Sequence, residues 1–220
     1  NRGCIPTKIL LHVAELYQSF KTAEKFGIYA DNITFDYGKV AEHKNKIVEK
    51  LRKSLELAIK KSGIKVVKET AKVVSDNLIK ASGEEYSCGK IVVATGSKPR
   101  ELKGLEFDHD FILSSDDILN LTKLPEKMVI VGSGAIGIEF ARILSAFGVE
   151  ITLVELASRL VPLADWEVSK RVERQFKMKK IKFYTETSIK SIENKVVILS
   201  NDEKIEPDCI LVATGRVCAD

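Results

Sequence analysis

Met128-Val129-Ile130-Val131-Gly132-Ser133-Gly134-Ala135-Ile136-Gly137-Ile138-Glu139-Phe140-Ala141 decides how this chain is read. The apolar run Met128–Val131 has the length and β-branched content of a buried strand. Gly132, Gly134 and Gly137 fit the spacing GxGxxG, and apolar residues then recur at helical spacing from Ala135 to Phe147. Gly148 stops that helix, and Glu150–Glu155 reads as the next strand. A strand leading in, a helix leading out and an acid ending the following strand form the context in which the glycine pattern carries meaning. Gly132 permits the tight turn, Gly134 lets a pyrophosphate approach the backbone, and Gly137 lets helix and strand pack closely. Ser133, Ala135 and Ile136 complete the loop, and the helix N-terminus offers unpaired N–H groups and a positive dipole end to phosphates. Glu155 lies about 20 positions on, where a carboxylate accepts hydrogen bonds from an adenosine ribose and repels a 2′-phosphate. Arg159 follows too late to read as a 2′-phosphate ligand, so the pattern favours NAD over NADP.

Outward from this core the chain keeps a clear texture. A helix is expected over Glu167–Met178, and strands over Ile181–Tyr184, Val196–Leu199 and Cys209–Ala213. Alternation of strands and helices points to an α/β fold with a parallel sheet. Upstream, Pro6 suits the first turn of a helix, and apolar residues at helical spacing extend it from Lys8 to Phe26, with Gly27 as its stop. A second helix is expected from Asp36 to Lys61, its lysines on a solvated face. Short β-rich runs follow at Ile64–Val67, Ala71–Val74, Leu78–Ala81 and Ile91–Ala94. Ser114-Ser115-Asp116-Asp117 is expected to cap a short helix. Ile91-Val92-Val93-Ala94-Thr95-Gly96 is echoed by Ile210-Leu211-Val212-Ala213-Thr214-Gly215.

Composition narrows the function classes. The 220 residues carry a net charge of +4, 45% hydrophobic and 30% charged residues. The mild positive excess gives no argument for nucleic acid, the apolar content excludes disorder as the main state, and no apolar run is long enough to span a membrane. Cys4, Cys88, Cys209 and Cys218 lie far apart, with neither metal spacing nor a disulfide framework. With no secretory segment at its start, the chain is expected in the cytoplasm, with the mitochondrial matrix as the alternative. It opens inside a motif without Met, so we expect a piece of a longer protein.

Arg2-Gly3-Cys4-Ile5-Pro6-Thr7-Lys8 heads the first helix. A thiolate there is favoured by the helix dipole, with Lys8 one turn on adding positive potential. On these residues alone, Cys4 reads equally well as a small buried apolar residue with Lys8 in solvent.

The four strings NRGCIPTK, ATGSKPR, LPEKMVIVGSGAIGIEFA and ATGR, in this order, resemble the flavin-dependent pyridine-nucleotide disulfide oxidoreductases, above all those that reoxidise dihydrolipoyl groups. The resemblance covers essentially the whole chain. It implies a Rossmann-like FAD/NAD(P)-binding fold, a three-layer sandwich with β-meanders, divided into a partial FAD-binding domain over 1–118 and an NAD-binding domain over 119–220. It implies FAD and NAD as cofactors. Cys4 matches the flavin-side cysteine of a redox-active disulfide, whose partner cysteine would fall before Asn1. Lys8 matches a lysine near the flavin, and Glu139 the glutamate that pairs with it. Thr95, Gly96 and Ser97 match the turn that lines the flavin, and Ala71 the residue whose backbone meets its adenine. Ile189 and Gly215 match NAD-lining positions. A homodimeric parent and a dihydrolipoyl carrier of a 2-oxo acid dehydrogenase complex are implied as partners, with no nucleic acid and no membrane. The family's leading GxGxxG, its later flavin-contacting acidic segment and its His–Glu catalytic base have no match here, so the chain alone is expected to be inactive. His12, His43 and His109 sit in no matching motif. An NADPH-dependent disulfide or mercuric reductase relative, and a non-catalytic NAD-binding module, are the alternatives.

Overall fold

The structure, a computed structural model, describes residues 1–219; Asp220, at the end of the expected second domain, lies outside them. The chain packs as two compact units. The larger joins Asn1–Val48 to Lys98–Val217, and the smaller begins at Glu49, ends at Ser97 and takes in Cys218 and Ala219. These packing units are cut differently from the sequence domains 1–118 and 119–220. The reason is helix α1 (Cys4–Lys21), which buries Leu10 and Ala14 in the core of the larger unit.

Parallel strands organise the larger unit. Strand β5 (Ile112–Leu113), β6 (Lys127–Val131), β7 (Glu150–Val154), β8 (Lys182–Tyr184) and β12 (Cys209–Val212) form one sheet in the order β5-β12-β6-β7-β8. Every adjacent pair is parallel, and β6 pairs with β12 from Met128↔Cys209 to Val131↔Val212. Both faces are covered, which is why the strands read as continuous apolar runs. Met128 and Ile130 point into one core with α4 (Ala135–Ala146), α5 (Trp166–Met178) and α1. Val129, Val131, Ile210 and Val212 point into a second core. There an antiparallel meander of β9 (Ile189–Glu193), β10 (Val196–Leu199) and β11 (Lys204–Ile205) contributes fully buried Val197 and Leu199. Helices, parallel sheet and meander thus make three layers. Strands β9 and β11 were not apparent in the sequence, because β9 is half solvated with polar residues among its isoleucines and β11 has only two residues.

Helix α1 packs along α4. Leu10, at 1% exposure, joins Phe140, Ala141, Ile143 and Leu144, a burial worth about 2–3 kcal/mol for one leucine. Gln18 donates to the carbonyl of Ala146 at 2.5 Å, and Arg142 pairs with Glu15 at 3.1 Å. Tyr17 stacks on Phe147 at 5.8 Å, and Phe35 and Tyr37 close on the same ring. Burial pushes the Tyr37 hydroxyl up to about 12. Helix α1 begins at Cys4 rather than Lys8, and a 3-10 turn at Ala23–Phe26 replaces its expected last turn, ended by Gly27 at φ +76°. Helix α2 (Tyr37–Lys61) begins in this unit, where the ammonium of buried Lys44 donates to the carbonyl of Leu119, just past the short helix α3 (Ser115–Ile118). Burial pulls the Lys44 ammonium down from its ordinary value.

The smaller unit holds an antiparallel meander of β1 (Ala71–Ser75), β2 (Leu78–Ala81) and β3 (Glu84–Ser87), in that order. The strands expected at Ile64–Val67 and Ile91–Ala94 do not form. Ile91–Ala94 is continuously apolar, the pattern of a strand covered on two faces, and Ile64–Val67 is apolar but for Lys65; neither finds a partner among the described residues of this unit. Strand β4 (Ser97–Pro99) pairs with β13 (Arg216–Cys218), and the N–H of Arg100 donates to the carbonyl of Gly215 at 3.0 Å.

Candidate nucleotide-binding site

The chain leaves β6 towards β7 on one side, while β12 lies on the other. In open parallel sheets this reversal leaves a crevice beyond the carboxyl ends of the strands, where ligands bind. Gly132 sits at the end of β6 with φ +99°, a conformation that a side chain disfavours. A Cβ there would also lie 2.7 Å from the carbonyl of Ala213. A Cβ on Gly137 would lie 1.9 Å from the carbonyl of Gly132, so helix and loop meet only because that residue is glycine. Gly134 differs: nothing in the protein lies within 4 Å of a Cβ built on it. That open space suits a group approaching the backbone from outside. Gly134 is also the N-cap of α4, and the N–H groups of Ala135, Ile136 and Gly137 have no acceptor within the helix. These residues fit a pyrophosphate.

Glu155 follows the last residue of β7, and its carboxylate is held on both oxygens. One oxygen accepts from the N–H of Ser133 at 2.7 Å and from its hydroxyl at 2.6 Å. The other accepts from the N–H of Ala157 at 2.8 Å. Ser133 is fully buried, so its N–H serves Glu155 and is not offered to a phosphate. Arg159, the nearest arginine in sequence, donates to the carbonyls of Pro162 and Ala164 and packs over the ring of Trp166 at 5.6 Å. Its guanidinium is committed within its own loop. These two engagements escaped sequence reading, because the middle position of GxGxxG admits many residues and backbone carbonyls leave no signal.

A second group of residues gathers where α1 meets α4. Cys4 is the first residue of α1 and is exposed. Lys8 lies one turn on, on the same helix face. Its ammonium pairs with the carboxylate of Glu139 on α4. The helix that bears the thiol is thereby tied to the helix that opens on the glycine loop. Thr214 follows β12 and its hydroxyl is buried without a hydrogen-bond partner; its N lies 3.2 Å from a Cβ built on Gly132. A buried orphan hydroxyl at a ligand crevice is a candidate ligand contact, and the sequence reading passed over it in favour of the adjacent Gly215. Gly215 is exposed at φ +115° and Ile189 is half-buried in β9.

In the smaller unit, Ala71 opens β1, and Thr95 and Gly96 lie outside helix and strand, all three exposed. Gly96, at φ +86°, has open space around a built Cβ, as a backbone that meets a ligand requires. Ser97 begins β4. His12 and His43 are exposed on helix faces, and His109 pairs with Asp117 at 3.0 Å. Burial pushes the Cys209 thiol up to about 11, as suits an inert residue inside a strand. No group of residues with metal-ligand geometry occurs among the described residues, and no helix there is long and apolar enough to cross a membrane.

A family model described as pyridine nucleotide-disulphide oxidoreductase matches residues 1–220. The dihydrolipoyl dehydrogenase of Chlamydia pneumoniae is 41% identical over 98% of this chain and 48% of its own length. A dihydrolipoyl dehydrogenase of Bacillus subtilis is 34% identical over 94% of this chain and 46% of its own. LpdA from Mycobacterium tuberculosis superposes with a TM-score of 0.86 over 97% of this chain and 49% of that one; at 20% identity this shows the shared fold. The HOCl-induced flavoprotein disulfide reductase RclA from Escherichia coli gives a TM-score of 0.79 at 25% identity, covering 100% of this chain and 48% of that one. The chain spans about half the length of the curated relatives it matches. With the glycine loop, the Rossmann-like sheet and the match of the family model along its whole length, the chain belongs to the pyridine nucleotide-disulphide oxidoreductases.

Proposed function

We propose that the chain is the nucleotide-binding and flavin-side half of an enzyme that oxidises dihydrolipoyl groups with NAD⁺ through FAD and a redox disulfide. The observation that carries this reading is the Lys8–Glu139 pair, which fixes the thiol-bearing helix against the helix of the glycine loop. The loop from Gly132 to Gly137 would hold the pyrophosphate of NAD, and Glu155 its adenosine ribose. Ile189, Thr214 and Gly215 complete the lining. Glu155 and the committed Arg159 support NAD over NADP, since a 2′-phosphate would meet a carboxylate and no free guanidinium there. In the smaller unit, Thr95, Gly96, Ser97 and Ala71 are the proposed FAD contacts; in the larger unit, Cys4 and Lys8 are the proposed redox residues. When bound, the flavin supplies a two-electron relay between a dithiol and the nicotinamide.

This chain's own residues orient and poise that relay. Paired in the redox disulfide, Cys4 would leave as a thiolate when a substrate thiolate attacks its partner cysteine, the sulfur–sulfur bond of the pair breaking as the mixed disulfide forms. Lys8 places a positive charge one turn away, and Glu139 fixes where that charge sits. The dihydrolipoyl carrier of a 2-oxo acid dehydrogenase complex is the substrate partner of this reading, and the parent acts as a homodimer.

The test is turnover of dihydrolipoamide with NAD⁺ by the native holoenzyme that contains this chain. Cys4→Ser is expected to abolish it. Lys8→Met is expected to lower it about 10²-fold, the scale of losing one placed charge at a reacting centre. Undiminished turnover in Cys4→Ser overturns the proposal.

A further inference from the structure

We propose that Ser133, through its hydroxyl, is a positioning residue that sets the preference for NAD over NADP by locking the carboxylate of Glu155 in place. The inference rests on the NAD reading above and goes beyond the glycine pattern, which asks nothing of the residue between its first two glycines.

The directions of the hydrogen bonds follow from chemistry. The carboxylate of Glu155 can only accept, and the N–H of Val161 can only donate. The hydroxyl oxygen of Ser133 receives the Val161 N–H at 3.2 Å. Its proton must therefore point to Glu155, 2.6 Å away. A hydroxyl with an obligate donor on one side and an obligate acceptor on the other has a single orientation. It is also wholly buried, so water does not compete.

Three donors then converge on Glu155: the N–H and hydroxyl of Ser133 and the N–H of Ala157. The carboxylate has room for about four hydrogen bonds. What remains is a short acceptor arc, fixed in direction, at the end of β7. A ribose with two free hydroxyls can donate into that arc. A 2′-phosphate brings a second negative charge to a carboxylate that cannot rotate away. The same serine tethers the following loop, because the Val161 N–H also reaches its carbonyl at 3.2 Å, and the carbonyl of Val161 accepts from buried Ser169 at 3.4 Å. Leu160 is held in turn by its N–H to Glu173 at 3.1 Å. Without the hydroxyl, Glu155 keeps one backbone donor on that oxygen and gains freedom to swing. Binding of NAD loses an anchored acceptor, and binding of NADP loses part of the repulsion.

The experiment is direct binding of NAD⁺ and NADP⁺ to the chain by calorimetry, for the wild type, Ser133→Ala, Glu155→Gln and the double variant. The expected result is a preference for NAD⁺ in the wild type that falls about tenfold in Ser133→Ala, or about 1.4 kcal/mol. In the Glu155→Gln background, Ser133→Ala is expected to change the preference by less than twofold, because the serine acts through that carboxylate. Equal weakening of both nucleotides, an unchanged preference, or additive effects of the two substitutions would each overturn the positioning role. Equal affinity of the wild type for the two nucleotides overturns the NAD reading, and this inference with it. Should Ser133→Ala not fold, Ser133→Gly also lacks the hydroxyl and is read the same way.

Discussion

Gly134 and Gly137 are two glycines of one motif under opposite constraints. A methyl group on Gly137 collides with the carbonyl of Gly132, while one on Gly134 meets no protein atom. Gly137→Ala is therefore expected to destabilise the fold by about 1–3 kcal/mol, the usual cost of overpacking. Gly134→Ala is expected to keep the wild-type melting temperature within about 2 °C and to lose NAD⁺ binding at least tenfold, since its Cβ would occupy the space of the pyrophosphate. Melting curves and nucleotide titrations on both variants check this, and the reverse pattern would contradict the assignment. The distinction between the glycines was legible in the sequence, because the spacing alone states what each must allow. The hold on Glu155 was not. It depends on which way one hydroxyl points, and a serine in a variable position does not announce that.

The short helix α3 is a case where the sequence named an element and the structure gives its charge balance. Ser114 and Asp117 form a reciprocal capping box, as the run of serines and aspartates suggested. The structure adds His109, at φ +63°, whose ring nitrogen meets both oxygens of Asp117 at 3.0–3.1 Å. The hydrogen bond and charge of Asp117, and more weakly the charges of Asp108 and Glu101, raise the imidazole above its ordinary value. Burial opposes ionisation of Asp117, but bonds from Ser114 and His109 prevail and hold its carboxyl below the ordinary range. A raised imidazole contributes stability that is complete below about pH 6.5 and disappears as pH climbs through the raised value. A lowered carboxyl contributes stability that is complete above about pH 4 and disappears as pH falls through the lowered value. His109→Asn is thus expected to lower the melting temperature at pH 5.5 and to leave it nearly unchanged at pH 9. A loss of equal size at both values would show that the imidazole acts by shape rather than charge.

The two echoed strings show what a sequence read piece by piece leaves open. Ile210, Leu211 and Val212 are buried to 2% exposure or less between β5 and β6. Val92 and Val93, with nearly the same neighbours in sequence, are 88% and 73% exposed and belong to no strand. Local preference is the same in both, so partners decide. The parallel sheet was legible because strand, glycine loop, helix and acid recur at spacings that one topology satisfies. The smaller unit was not, since its apolar runs state a wish for burial without naming what would cover them. Hydrogen exchange followed by mass spectrometry should separate the twins, with amides of 210–212 protected and those of 92–94 exchanging within seconds; equal protection would refute the difference. The exposed copy also carries a hazard. Four of its six residues, Ile91, Val92, Val93 and Thr95, have high β propensity, and an uncharged, proline-free run without a strand partner among the described residues has the composition from which steric zippers nucleate. The letters that build an interior strand over Ile210–Val212 belong, at 91–96, to an exposed run of the composition that pairs between chains.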